Sequence, residues 1–204
     1  LSRAQESGTT VINTPQAVRN CSRGTFTALL QETGIPQPPY TIQQSCGAAP
    51  ADGYPLWIKR SEGWSEHPAD VSFVATPLEA AQALANLQKR GIGEVVISRH
   101  IQGDIIKFYG IGNDFFHYCY PVGGKFGKET VNGTPRHYTF DATALRRIVH
   151  KAAQAIGVEI YGGDAIITQQ GEIFIIDLND FPSFTLVRDI AAREIATLIM
   201  NKIK

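Results

Sequence analysis

Short apolar runs alternate with polar stretches along this chain, and the period of each run names the element it makes. Leu56-Trp-Ile-Lys59, Val71-Ser-Phe-Val74, Glu94 to Ser98, Asp104 to Ile111 and Phe115 to Tyr120 have strand length and strand-favouring residues. Thr10-Val-Ile-Asn13 reads as a further short strand. Pro15 to Cys21 and Thr25 to Glu32 read as helices, the second stopped by Gly34 and followed by the extended Ile35-Pro-Gln-Pro-Pro39. Thr76-Pro-Leu-Glu79 is a capping box with proline at the first helical position. It opens a helix that runs to Arg90 and turns Leu78, Ala81, Leu84 and Leu87 inward. Asp141 caps a helix to Ile156 whose core face is Leu145, Ile148, Val149, Ala152 and Ile156, and Thr185 to Asn201 forms the last helix. Ser61 to His67 has neither period and reads as a loop. Tyr120 to Tyr138 is a long glycine-rich stretch, a length that in a compact domain marks function or disorder. The order predicts an α+β chain with mainly antiparallel strands.

One predicted hairpin carries chemistry. Gly162-Gly163-Asp164-Ala-Ile-Ile-Thr168 runs into Gln169-Gln170-Gly171-Glu172 and returns as Ile173-Phe-Ile-Ile-Asp177-Leu-Asn179. With Gln170-Gly171 as a two-residue turn, Thr168 pairs with Ile173, Ile166 with Ile175 and Asp164 with Asp177. Alternation then sets Asp164, Asp177 and Asn179 on one face. Directly opposed side chains are about 5 Å apart at Cβ. Two carboxylates at that separation repel by roughly 3 kcal/mol at an effective dielectric near 20, so something belongs between them. Oxygen-only ligands suit Mg²⁺, which takes a few carboxylates and completes its shell with phosphate oxygens. The alternative is a surface hairpin with solvated carboxylates, and a three-residue turn or a bulge would shift the register and separate the pair.

Composition narrows the class. Nineteen basic residues balance nineteen acidic ones, and with no basic, aromatic-interleaved run, nucleic acid is not an expected partner. Cys21, Cys46 and Cys119 are odd in number and widely spaced, which fits neither a disulfide framework nor a zinc site. Nothing resembles a signal peptide or a membrane span, so the expected setting is cytoplasmic. Met200 is the sole methionine, which suggests that residue 1 is not a translation start.

In order and spacing, these pieces resemble the ATP-grasp superfamily from about Val11 onward. Val11-Ile-Asn13 through Gly34-Ile-Pro-Gln-Pro-Pro39 resembles the entry into its ATP-binding lobes, and Pro55-Leu-Trp-Ile-Lys59 its nucleotide-lysine strand. Val95-Val-Ile-Ser-Arg-His-Ile-Gln-Gly-Asp104 resembles its hinge strand, and Gly163-Asp164 with Ile176-Asp-Leu-Asn179 its metal hairpin. Ile106-Lys107-Phe-Tyr-Gly-Ile-Gly112 looks most like the branch of ribosomal-protein glutamate ligases and inositol phosphate kinases. The resemblance implies an ATP-grasp fold whose two lobes, 21–93 and 94–204, clasp MgATP between antiparallel sheets. Residues 1–20 would be the tail of an N-terminal α/β domain that is absent or truncated.

The resemblance implies an ATP-dependent carboxylate–amine or carboxylate–thiol ligase acting through an acyl phosphate on a small-molecule or peptide carboxylate. An ATP-grasp kinase of small hydroxyl compounds and a non-catalytic ATP-binding module are the alternatives. Lys59, ending a buried apolar strand, needs an anionic partner, and the family's matching lysine binds phosphate. Arg23 sits where the family often has a phosphate-contacting lysine. Arg99 and Ile101 would offer main-chain hydrogen bonds to adenine, although Ser98 and Arg99 stand where a carboxylate or glutamine is usual. Asp104, one residue before the usual position, is the nearest ribose carboxylate, an exposed turn aspartate being the other reading. Lys107, between Ile106 and Phe108, would meet the terminal phosphates. Asp164, Asp177 and Asn179 would hold Mg²⁺. Lys125, Lys128, Arg136 and His137 would line the acceptor side if the glycine-rich stretch folds over the cleft, or else form a plain charge run. Ser61 to His67 matches the flap over the triphosphate without its usual glycines; Trp64 is unusual there, and His67 is either near the γ-phosphate or solvent-facing. Gly162 stands where some ligases carry an arginine that grips the intermediate.

Overall fold

The structure, a computed structural model, describes residues 1–63, 65–121 and 131–203. Trp64, Lys125 and Lys128, three of the residues singled out above, lie outside them. The chain begins with three helices, α1 (Ser2–Glu6), α2 (Pro15–Asn20) and α3 (Arg23–Glu32). A first sheet follows from β1 (Tyr40–Gln44), β2 (Leu56–Arg60), β3 (Val71–Val74) and β4 (Glu94–Arg99), with α4 (Pro77–Lys89) between the last two strands. A second sheet is built from β5 (Asp104–Ile111), β6 (Phe115–Cys119), β7 (Ile160–Ile167) and β8 (Ile173–Asn179). Helix α5 (Ala142–Ile156) precedes β7, and α6 (Arg188–Ile203) ends the chain. Among the described residues both sheets are antiparallel, in the orders β1-β4-β2-β3 and β6-β5-β7-β8.

Each sheet buries one face on a helix, and the second also packs Tyr109 and Ile111 of its other face against Val187 and Ala191 at the start of α6. Leu56, Ile58, Val95 and Ile97 pack on Ala80, Ala83, Leu84 and Leu87 of α4. The expected inward pair Leu78 and Ala81 is a correction: both are exposed. At 100° per residue, positions 80, 83, 84 and 87 share an arc while Leu78 falls nearly opposite it. The Thr76 hydroxyl accepts from Glu79 N–H at 3.3 Å and fixes this phase. The second sheet packs Ile106, Phe108, Ala165, Ile167, Ile175 and Leu178 on Leu145, Val149, Ala152 and Ile156 of α5, and Phe26 and Leu30 of α3 join that core. Asp141 caps α5 through Thr143 N–H at 2.8 Å, and Gly157 closes it with φ 85°.

Two elements differ from expectation. Val11 to Asn13 is not a strand. The buried Asn13 amide accepts from Glu159 N–H (2.6 Å) and Ile160 N–H (3.0 Å) and donates to the carbonyls of Ile160 and Asp180. A side chain thus holds this segment where a ladder was expected. The polar edge strand β1 is additional; its Gln43 and Gln44 hide the apolar alternation that would reveal it. Among the described residues no helix is long and apolar enough to cross a membrane.

Candidate active site

The hairpin reaches the expected pairing by two compensating steps. Thr168 N–H donates to Glu172 O (3.0 Å) and Gly171 N–H to Thr168 O (2.9 Å), so the loop has three residues, Gln169 to Gly171, not two. Gly171 has φ 79°, the left-handed conformation that such a loop requires. The longer loop slips the register by one, pairing Ile167 with Ile173, Ile166 with Phe174 and Ala165 with Ile175. A bulge between Asp164 and Ala165 then absorbs Ile176, and Asp164 faces Asp177 after all. Beyond it, Gly162 faces Asn179.

Register across the whole sheet extends the cluster. Cys119, Lys107, Asp164 and Asp177 form one row, and His117, Tyr109, Gly162 and Asn179 the next, all on the face away from α5. Lys107 Nζ lies 3.2 Å from Asp164 Oδ1, so an ammonium stands within the row that holds the two carboxylates. Burial pushes the Cys119 thiol up, with Asp164 adding to that and Lys107 opposing it. Burial also pushes Cys21 up to about 12, with Asp180 and then Asp177 contributing. The sequence reading did not single out His117 and Cys119 as site residues; strict alternation along Phe115–Cys119, once aligned with Lys107, is the signal that finds them. Gly162 has a packing reason to be glycine: a Cβ there would come within 2.7 Å of Pro182 Cγ and 3.0 Å of Phe108 O.

The first sheet supplies the facing wall. Tyr40, Ser98, Trp57 and Phe73 form one row and Ile42, Val96, Lys59 and Val71 the next, on the face opposite α4. Two small adjoining cavities, of about 20 Å³ each, lie between this face and the second sheet. Arg23, Lys59, Ser98 and Ile176 line the first; Trp57, Lys59, Arg99, Ile101, Ile166 and Ile176 line the second. Arg23, Lys59, Arg99 and Ile101 are therefore brought together, and Ile176, the residue before Asp177, is common to both cavities. Residues 100–103 connect β4 to β5 and so join the sheets. There Arg99 N–H donates to Pro39 O at 2.9 Å, while proline has no N–H to return the bond. Trp57 Nε1 donates to His100 Nδ1 at 3.2 Å.

Asp104 and Arg136 are held differently from expectation. Asp104 is buried, not an exposed turn residue, and its two carboxylate oxygens accept from Arg136 N–H (2.7 Å) and Tyr138 N–H (2.9 Å). It anchors the returning end of the glycine-rich stretch. Arg136, whose guanidinium donates to Tyr138 Oη at 3.1 Å, is thereby pinned three residues along β5 from Lys107, roughly 10 Å away. His67 is exposed, and its Nδ1 caps the turn Pro68–Asp70 by accepting from Ala69 N–H at 3.0 Å. The base of the Ser61–His67 loop is fixed by the buried Asp70, which accepts from Glu66 N–H (2.8 Å) and His67 N–H (3.0 Å) and pairs with Arg90 (2.7 Å). Burial acts to raise the Asp70 pKa, but these hydrogen bonds and the Arg90 charge outweigh it and hold the carboxyl below its ordinary range.

Comparison with known proteins gives the fold a context. No protein-family profile matches the sequence, and no curated protein does. Solved structures match over most of the chain. A D-alanine–D-alanine ligase from Bacillus anthracis, complexed with ATP, is 15% identical with a TM-score of 0.73, covering 98% of this chain and 72% of its own. A D-Ala:D-Ser ligase from Enterococcus faecalis is 17% identical with a TM-score of 0.68, covering 96% and 66%. An L-amino acid ligase from Bacillus licheniformis is 16% identical with a TM-score of 0.66, covering 88% and 45%. The fold is that of the ATP-grasp proteins, and the chain spans from just under half to nearly three quarters of the length of these neighbours.

Proposed function

We propose that this chain binds MgATP between its two sheets and serves an ATP-dependent ligase that joins a carboxylate to an amine or thiol. One observation carries the reading. Lys59 of the first sheet and Ile176, next to the paired carboxylates of the second, line the same two cavities. At about 20 Å³ each these cavities are too small for a base as they stand, so the apolar seam between the sheets would part to admit adenine, and it ends at cations and carboxylates suited to a metal-bound triphosphate. The complex of ATP with the Bacillus anthracis ligase, which shares the fold, supports ATP as the nucleotide.

In this reading adenine enters between Trp57, Ile101, Ile166 and Ile176. Arg99 accepts from the base through its carbonyl, because its N–H is committed to Pro39, and Ile101 contributes its main chain. Lys59 and Arg23 bind phosphate. Asp104 is left out of the ribose contact, since its oxygens hold the backbone at 136 and 138. An acceptor carboxylate oxygen attacks the γ-phosphorus, ADP leaves, and the amine or thiol then attacks the acyl carbon and expels phosphate. Lys107 leaves Asp164 to offset charge on the transferring group, which is electrostatic stabilisation without covalent catalysis. An acceptor-side role for Arg136 requires its exposed guanidinium to reach from the hinge end of β5.

The donors at the hairpin fit Mg²⁺. Asp164, Asp177 and Asn179 present hard oxygen atoms on one face, and among the described residues no group of three or more His, Cys, Asp and Glu forms a self-sufficient metal cage. These three would hold the ion, which would neutralise β- and γ-phosphate charge. Product analysis after incubation with MgATP and pooled metabolites tests the whole reading. ADP with free phosphate and a condensed product supports a ligase, ADP with a phosphorylated product a kinase, and nucleotide binding without turnover a binding module.

A further inference from the structure

Tyr161 Oη, His150 Nε2 and Asn132 Oδ1 are buried atoms without a hydrogen-bond partner, and each calls for a reason. The first two lie in the packing between α5 and the second sheet, where Tyr161 belongs to the core and His150 packs on Phe116. Asn132 is different: it alone of the three lines a cavity between the sheets. That cavity is bounded by Trp57, Arg99, Ile101, Ile166 and Ile176, the seam through which adenine would enter. Among the described residues, Asn132 is the only side-chain amide on its lining. Its main chain is held from the hinge side, where Gln102 Nε2 donates to Asn132 O at 3.4 Å. Asp104 fixes the backbone a few residues further on, at 136 and 138. The Arg99 guanidinium, a group suited to guanine, packs instead against Gly53.

We propose that Asn132 is a base-reading residue whose side-chain amide takes the N6–N7 edge of adenine. The inference rests on the nucleotide reading of the cleft and adds to it the side chain that recognises the base. An amide sets an acceptor beside a donor, and these match an N6 amino hydrogen and N7 of adenine as a bidentate pair. The hinge leaves that edge free. Arg99 O takes one of the two N6 hydrogens and, with Ile101, addresses the N1 side; the second hydrogen points toward N7. Guanine presents O6 and N7, two acceptors, on the same edge. Whichever way the amide turns, its oxygen then faces an acceptor with no hydrogen between them. Asn132 Oδ1 has no bond inside the protein to give up when the base arrives, so the contact is gained without a matching loss.

The test is calorimetry on the full chain with magnesium, comparing ATP with 7-deaza-ATP, in which a C–H replaces N7. The parent is expected to bind 7-deaza-ATP more weakly than ATP by about threefold or more. Asn132→Ala should bind ATP about tenfold more weakly than the parent and bind the two nucleotides alike. Its melting midpoint without ligand should match that of the parent, since the amide oxygen bonds to nothing in the fold. Asn132→Asp, of the same shape, keeps the acceptor for N6 but has no donor for N7, so it too should lose the preference for ATP over 7-deaza-ATP. Equal affinity of the parent for both nucleotides overturns the proposal without any variant. So does a folded Asn132→Ala or Asn132→Asp that keeps the parent's preference. In each of these cases ATP still binds, and the nucleotide reading stands. If the parent binds neither nucleotide, both fall.

Discussion

Lys107 and Asp164 pair at 3.2 Å in a row that also holds Asp177, so an ammonium and two carboxylates share this site. Nucleotide would draw Lys107 toward phosphate and leave the carboxylates to a cation. Asp177→Asn relieves the opposed charges and should fold normally, yet weaken magnesium-dependent ATP binding by about 2 kcal/mol, roughly thirtyfold, in calorimetry. Equal affinity in variant and parent removes the metal role. Lys59→Ala should lose a similar amount with or without magnesium, since Lys59 belongs to the facing sheet; a loss seen only with magnesium would mean that it serves the metal site. The thiols give an independent check on burial around this row. Burial, with Asp180 and Asp177, pushes Cys21 up to about 12, and burial raises Cys119 as well, whereas Cys46 is exposed. Iodoacetamide at pH 8 should therefore modify one thiol in the native chain and three in urea, counted by mass. Two or more fast native thiols would contradict the packing of Cys21 or Cys119.

At the scale of elements, β5 was legible to the residue, and α5 lacked only a fine reading of its core, because alternation, the Asp141 cap and Gly157 all agree. The facing of Asp164 and Asp177 was legible for a different reason: a three-residue loop and a bulge, each invisible in the apolar pattern, shift the register in opposite directions and cancel. Deleting Ile176 tests the bulge. Without the extra residue the ladder runs on regularly from Ala165–Ile175 to Asp164–Asp177, so the carboxylates should still face each other and magnesium should still strengthen ATP binding, although a cavity-lining side chain is lost. Loss of the magnesium effect in the folded deletion would show that the bulge itself shapes the pair. The flap base is a second element whose anchor was hidden, since nothing in the pattern marks Asp70 as buried. Its carboxyl is held below the ordinary range, so its contribution is complete above the ordinary value of about 3.9 and is lost as the pH falls below that toward the depressed folded value. Asp70→Ala strands Arg90 and two backbone N–H groups and should cost about 3–5 kcal/mol at pH 7 in urea unfolding. The deficit should shrink as the pH is taken below the aspartate range, where the parent loses the same interaction.

For the whole molecule, the main apolar faces of the two sheets lie on different helices, while the small cavities lie between the sheets, beside the part of the second sheet that α6 covers. The connection at 100–103 joins the sheets, and α3 ties them a second time: its Phe26 and Leu30 enter the second core while Gly24 N–H donates to Ser61 O at 3.1 Å, just past β2. The connection at 100–103 lies in the segment that resembles a hinge strand, whereas the α3 tie was not legible, because it is tertiary and leaves no periodic trace in the sequence. A ligand held by Lys59 and Arg99 from one side and Ile166 and Ile176 from the other is in effect a third tie, present only in the folded, closed arrangement. Mass action then sets its size: at a hundred times the dissociation constant, a ligand bound only by the folded chain adds about 2.7 kcal/mol. MgATP should accordingly raise the melting midpoint by several degrees in a single transition, ATP without magnesium by less, and MgATP by only about a third as much in Lys59→Ala. If MgATP instead splits the melting curve in two, with only one step raised, the nucleotide rests on a single sheet. The cleft between them would then not be the binding site.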